Sequence, residues 1–233
     1  MKQEYCAVIP ARGGSKRLPG KNRKLLAGKP LIEYTIRAAL HAKEISRVIV
    51  TTDDVELANI SKNFDIDVLY PRPQELSSDT ASSVDVLRYV VKIIETDTSE
   101  IENIVLLQPT SPFRMGNHID AAITLFRTSH ADTLTSVRDV KDHPFWLWKQ
   151  ESDRITPVYS MKHISMARQE LPRYLIENGA IYIVKKSTLF NEGMYGSKVI
   201  PFIMSDAEST DIDDQLDLER AELLIAKNLV TFE

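Results

Sequence analysis

The sequence predicts an α/β fold, a mostly parallel sheet with helices on both faces. Two observations carry this. Short apolar runs alternate with stretches of helical periodicity along nearly the whole chain, and strand–helix alternation builds crossover units around a parallel sheet. The chain has 233 residues, 43% hydrophobic and 27% charged, enough for one large domain with a real core.

Residues 5–10 (YCAVIP) read as a buried strand. Residues 30–43 put Leu31, Ile32, Ile36, Ala39 and Leu40 near helical spacing behind a proline, which suits a helix start. Residues 47–53 are a second strand, 55–64 a helix, and 67–73 a third strand ended by prolines. Residues 77–95 open with capping residues and continue with Val84, Leu87, Val91 and Ile94, a helix with a polar N-terminus. Residues 103–113 are a strand that breaks at Pro109, 118–129 a helix and 133–140 a strand. Residues 179–186 and 198–205 are later strands, and 214–229 the closing helix. Residues 141–175 break the rhythm. They hold both tryptophans and little periodicity, and read as an insertion, a small subdomain or a dimer contact, within a single domain spanning 1–233.

Net charge of -4 argues against a general nucleic-acid or membrane-surface binder. The lone cysteine, Cys6, cannot form an internal disulfide and fits a reducing compartment. With no signal-peptide pattern and no apolar run near a membrane span, a soluble, cytoplasmic protein is expected.

In such sheets ligands sit beyond the carboxyl ends of the strands. There the first strand empties into IPARGGSKRLPGKNRK, residues 9–24, with three glycines, six cations and no acid. Gly13 and Gly14 are expected to turn the backbone and point amides outward as an anion nest, and Arg12, Lys16, Arg17 and Lys21 add positive charge. Together they suit a polyphosphate; a solvated basic turn is the bland alternative. A P-loop, the least specific alternative, is disfavoured: five residues separate Gly14 from Gly20, and Asn22 stands where a metal-binding hydroxyl is needed.

Asp211 and Asp213 alternate across Ile212, so both face one side of an extended segment. Two such carboxylates suit a magnesium ion that also holds phosphates and waters; service to a helix dipole is the alternative, expected of Asp214 and Asp217. Gln108, at a strand's carboxyl end, suits sugar hydroxyls. Arg114 reads as a loop cation, Asp79 as a cap and His143 as structural. The five histidines show no metal spacing.

The opening loop resembles the nucleotide loop of the acylneuraminate cytidylyltransferases, which make CMP-activated sialic acids from CTP. Residues 72–83 (RPQELSSDTASS), 106–114 (LLQPTSPFR), 168–172 (RQELP), 178–183 (NGAIYI) and 209–222 (STDIDDQLDLERAE) are similar to that family's motifs, in its order. The resemblance implies a Rossmann-like fold of the nucleotide-diphospho-sugar transferase type, with a dimerisation segment at about 141–175. It implies that Arg12, Lys21 and Asp211 serve catalysis. CTP would be bound by Arg12, Gly13, Gly14, Ser15, Lys21, Asn22, Arg72 and Ser83. An acidic nine-carbon sugar would be bound by Gln108, Arg168, Tyr182, Met194 and Tyr195, with Arg168 on its carboxylate. Asp211 and Asp213 would hold Mg2+, and the partner would be a second copy in a homodimer, with neither nucleic acid nor membrane.

Departures fall in the sugar half. Ile176 replaces an arginine common in the family, Glu177 a frequent proline, and Trp146 a basic residue. A more apolar pocket would suit a deoxygenated acceptor such as legionaminic acid. The alternatives are a cytidylyltransferase for the eight-carbon acid Kdo, which NGAIYI fits less well, and a nucleotide-binding regulator without catalysis, against which the intact Asp211 and Asp213 count.

Overall fold

The computed structural model describes residues 5–78, 80–95 and 101–232; Asp79, read as a cap, lies outside them. Its elements in chain order are β1 (Tyr5–Ala11), β2 (Leu25–Leu26), β3 (Lys29–Pro30), α1 (Leu31–His41), β4 (Ile45–Thr52), α2 (Val55–Ser61), β5 (Asp67–Leu69) and α3 (Ser83–Ile94). Then come β6 (Asn103–Leu106), α4 (Gly116–Ser129), β7 (Thr133–Asp139), β8 (Trp148–Glu151), β9 (Arg154–Pro157), α5 (Met161–Ile164), β10 (Leu175–Lys185), α6 (Lys186–Asn191), β11 (Val199–Ile203) and α7 (Gln215–Ala226).

Seven strands form one sheet in the order β11-β7-β10-β6-β1-β4-β5. Every pairing is parallel except those of β10, which runs antiparallel to both β6 and β7. The side-chain alternation of β1 divides the core in two. Tyr5, Ala7, Ile9 and Ala11 pack with residues of α1, α2 and α4, while Cys6 and Val8 pack with Leu87, Val90, Val91 and Ile94 of α3. Each large side chain buried this way contributes about 2 kcal/mol. Helices therefore cover both faces, as the periodicity predicts.

A third cluster sits at the carboxyl edge. Leu18 of the opening loop, Phe113, Ile212 and Leu218 of α7 pack together around Leu26, Leu31 and Tyr34. It ties the loop after β1 to the segment before α7, although some 190 residues separate them in sequence.

Because β10 is antiparallel, its first half projects past the carboxyl end of β6: Tyr182 pairs with Leu106, the last residue of that strand. The ladder with β7 shifts register between Glu177 and Tyr182, and Gly179 takes φ +78 there, a bulge that re-aims side chains. The sequence pattern locates only the regular half of β10, because the bulge interrupts its apolar run. It also misses the β2–β3 hairpin and α6, which are too short to show a period.

Residues 141–175 carry the β8–β9 hairpin and α5 on a small aromatic core. His143 stacks edge-on with Phe145 and Tyr174. Its Nδ1 accepts from the Phe145 N–H, so Nε2 carries the proton and donates to the Pro172 carbonyl at 3.0 Å. That is a structural histidine. Among the described residues no helix is long and apolar enough to cross a membrane.

Candidate active site

Two adjoining hollows open at the carboxyl edge of the sheet and share Gln108 and Thr110. The first, about 340 Å³, is lined by Arg12, Ser15, Lys21, Asn22, Arg72 and Ser83, and by no acid among the described residues. The second, about 440 Å³, is lined by charges of both signs, with Glu177, Gly179, Tyr182 and Asp211 among them.

The opening loop builds the first hollow differently from expectation. The Gly13 N–H points at Asp53 Oδ1, 2.9 Å away, rather than outward as half of a nest. Glycine is required at position 13 by close approach: a Cβ there would lie 2.8 Å from Asp54 Cβ. Gly14 is exposed and open. The buried Asn22 donates Nδ2 to the Arg12 carbonyl at 3.0 Å, which fixes the loop, and its Oδ1 has no hydrogen-bond partner among the described residues. Ser83 is the first residue of α3, behind the N-cap Ser82, whose oxygen accepts from Asp85 N–H. Ser82 thus supplies the cap, leaving Ser83 at the hollow.

Arg72 is 5% exposed. Its guanidinium donates to Ser77 Oγ at 3.1 Å and the Thr51 carbonyl at 3.4 Å, and stands 3.9 Å from Asp53. Burial pulls its pKa down and Asp53 opposes that. A buried guanidinium held on three sides is a rigid donor at the wall of the hollow.

Lys21, only 14% exposed, reaches across to Asp213 at 2.8 Å, and Arg17 stands 3.4 Å from the same carboxylate. This pairing holds Asp213 below the usual carboxylate range. Asp211 behaves oppositely. Its carboxylate is open to water at the mouth of the second hollow yet ringed by protein, and burial raises its pKa against a hydrogen bond from the Thr110 side chain; Asp213 and Asp217 push it further up and Lys21 down. Ile212 between them is fully buried, and its N–H donates to the Thr110 carbonyl at 2.9 Å. Asp214 and Asp217 form a capping box on α7, with Asp217 also accepting from the Asp213 N–H. Asp214 and Asp217 cap the helix as expected, although Asp217 also lines the second hollow with Asp211; Asp213 lines neither hollow and instead faces Lys21 of the first. The donor set of Asp211 and Asp213 fits a magnesium ion that takes its remaining oxygens from phosphates and water; alone it is no cage, and no group of three acids, histidines or cysteines gathers among the described residues.

Tyr182 in the wall of the second hollow donates to Glu177 Oε2 at 3.4 Å, and Tyr195, which lines neither hollow despite the expected sugar contact, donates to Oε1 at 2.7 Å. Asp206 lies among Lys141 (2.8 Å), Arg220 (3.2 Å) and Arg138 (4.0 Å), which hold its pKa down. Met194 packs against the core cluster of α3 and gives its carbonyl to Thr133 Oγ1, and it is not part of either wall. Arg168 is also set apart: it lines a separate small hollow in the inserted segment, with His143, Trp146 and Tyr174.

Three supporting residues escape the sequence reading. Arg114 is 1% exposed rather than a loop cation, and its Nη1 donates to the carbonyls of Gln108 (3.2 Å) and Ala180 (3.0 Å), joining the β6 exit to the β10 bulge. Asn178 accepts from Ser136 Oγ at 2.6 Å and donates to Ser209 Oγ at 2.8 Å, so the bulge also carries the approach to Asp211. Thr110 holds both Asp211 and Ile212. The signal available was the polar cluster 108–114 straight after a buried strand, but burial of an arginine is a tertiary fact.

Comparisons with known proteins fit this arrangement. A sequence-family model described as cytidylyltransferase matches residues 6–219. An N-acylneuraminate cytidylyltransferase of Escherichia coli O18:K1:H7 is 35% identical over 95% of the chain and 52% of its own length. A CMP-N,N'-diacetyllegionaminic acid synthase of Legionella pneumophila is 34% identical over 95% of the chain and 96% of its own length. The chain thus spans about half of the first relative and nearly all of the second. The structure of a CMP:2-keto-3-deoxy-manno-octonic acid synthetase complexed with CTP superposes with a TM-score of 0.71 over 97% of the chain and 100% of that chain, at 22% identity, which is a likeness of fold.

Proposed function

The chain belongs to the cytidylyltransferase family, and we propose that it transfers CMP from CTP to the anomeric hydroxyl of an acidic nine-carbon sugar of the sialic-acid type, releasing pyrophosphate. The observation that carries this is the junction of an acid-free cationic hollow with a mixed-charge hollow, where Asp211, Thr110 and Gln108 meet. The first suits a triphosphate and the second a polyhydroxylated acid.

The sugar's anomeric oxygen forms a bond to the α-phosphorus while the bond to the bridging oxygen of pyrophosphate breaks. Positioning and charge stabilisation account for the catalysis. Arg12 and Lys21 neutralise phosphate oxygens, and the rigid Arg72 and Ser83 orient the nucleotide. Gln108, set between the two hollows by Arg114, places the sugar against it. Asp211 and Asp213 would hold Mg2+, which when bound offsets charge on the phosphates. Lys21 leaves Asp213 as it engages the triphosphate.

The finer acceptor proposed is an N-acyl-legionaminic acid rather than N-acetylneuraminic acid. What supports this is the legionaminate relative, which matches along nearly its whole length; the more apolar pocket expected from Ile176 and Trp146 is not what forms, since neither lines the second hollow and its walls are charged. We also propose a homodimer in the cytoplasm, with the aromatic insertion at its interface; Trp148, Ile155 and Met161 leave 44%, 60% and 61% of their surface uncovered. That interface would bring Arg168 of the insertion to a sugar.

The experiment is pyrophosphate release with CTP and magnesium against N-acetylneuraminic, N,N'-diacetyllegionaminic, pseudaminic and Kdo acids. Release with a nine-carbon acid, highest with legionaminate, is expected. Release with Kdo alone, or CTP binding without release, overturns it.

A further inference from the structure

Glu177 precedes the β10 bulge and lines the second hollow. A carboxylate only accepts, so Tyr182 and Tyr195 both spend their single proton on it. Each phenol oxygen then has acceptor capacity alone, and Glu177 keeps lone pairs of its own. Burial, with Glu177 assisting, pushes the Tyr195 phenol up to about 12 and raises Tyr182 as well, so neither ionises near neutral pH. Glu177 with its two phenols thus adds acceptors and negative charge to this wall. The cations of the same hollow gather elsewhere, around Asp206.

We propose that Glu177 is a specificity-determining residue that accepts a hydrogen bond from the N–H of an acylamino group on the acceptor sugar. This rests on the sugar-acid acceptor proposed above. An amide N–H offers a donor and no lone pair, so it meets a charged acceptor without choice of orientation, and the bond is charge-assisted. The wall repels carboxylates, so the sugar's own acid group lies away from β10. A sugar hydroxyl could supply the same donor, and the acids compared below separate the two.

The test is direct binding, which needs no turnover. Affinities for N,N'-diacetyllegionaminic, N-acetylneuraminic and 2-keto-3-deoxy-manno-octonic acid, the last without an acylamino group, are measured by calorimetry for the full chain, for Glu177→Ala and for Glu177→Gln. Pyrophosphate release is assayed separately. Glu177→Ala is expected to weaken both acylamino acids by about tenfold or more. CTP affinity, and any affinity for the octonic acid, should stay within about twofold. Glu177→Gln, which keeps one acceptor, recovers part of the loss. Should Glu177→Ala lose CTP as well, Glu177→Gln decides, by a severalfold loss confined to acylamino acids. An equal loss for all three acids assigns the contact to hydroxyls or to general folding and overturns the proposal, as does no loss, or no binding of an acylamino acid to the unaltered chain. Binding that depends on Glu177 without pyrophosphate release leaves Glu177 standing and defeats the transfer reaction instead.

Discussion

Asp211 and Asp213 are the same residue type two positions apart, yet their surroundings drive them in opposite directions. Lys21 stabilises ionised Asp213, whereas burial disfavours ionised Asp211. A raised folded pKa means that Asp211 subtracts stability once it is ionised, above its usual range, and that this cost disappears as pH falls and the carboxyl protonates. Asp211→Asn should therefore lower kcat/KM by about a hundredfold or more while leaving the melting temperature at pH 7 unchanged or higher. Without magnesium, the unaltered protein should gain stability relative to Asp211→Asn as pH falls into the carboxylate range. Paired steady-state kinetics and thermal melts check both; a large fall in melting temperature would mean that the carboxylate is structural.

At the scale of the element, β10 organises the second hollow, the proposed sugar side. Its antiparallel direction carries Glu177, Asn178 and Gly179 past the end of β6, and its bulge turns them toward Gln108. Gly179 is needed twice over: φ is +78, and a Cβ would lie 2.9 Å from Gln108 Oε1. Gly179→Ala is expected to cost about 1–3 kcal/mol of stability and to raise the KM for the sugar more than that for CTP, because the displaced side chain is Gln108. Urea unfolding with separate KM measurements distinguishes this from a general loss. If the KM for CTP rises equally, the bulge serves the whole cleft rather than its sugar half.

At the scale of the molecule, the proposed homodimer turns on the insertion. Its hairpin exposes Trp148 and Ile155, and Arg168 stands outside the cleft. Light scattering should give twice the 26.4 kDa chain mass, and Trp148→Glu with Ile155→Glu should shift it to one. A monomer at micromolar concentration in the unaltered protein would refute the dimer and leave Arg168 without a substrate to meet.

The sequence by itself determined the layered α/β class, most elements and the cationic loop at the end of β1, because apolar period and glycine–cation clustering are local properties. It also placed Arg12, Lys21, Arg72, Ser83, Gln108 and Asp211 among the candidates that line the two hollows. Only the tertiary structure decided what each touches there. Gly13 serves contact with Asp54 rather than an open nest, Arg114 is a buried clamp, and Lys21 meets Asp213 from 192 residues away. Burial and long-range pairing arise when separate segments share a core, as Leu18 and Ile212 do in the third cluster, and no window of sequence contains both partners.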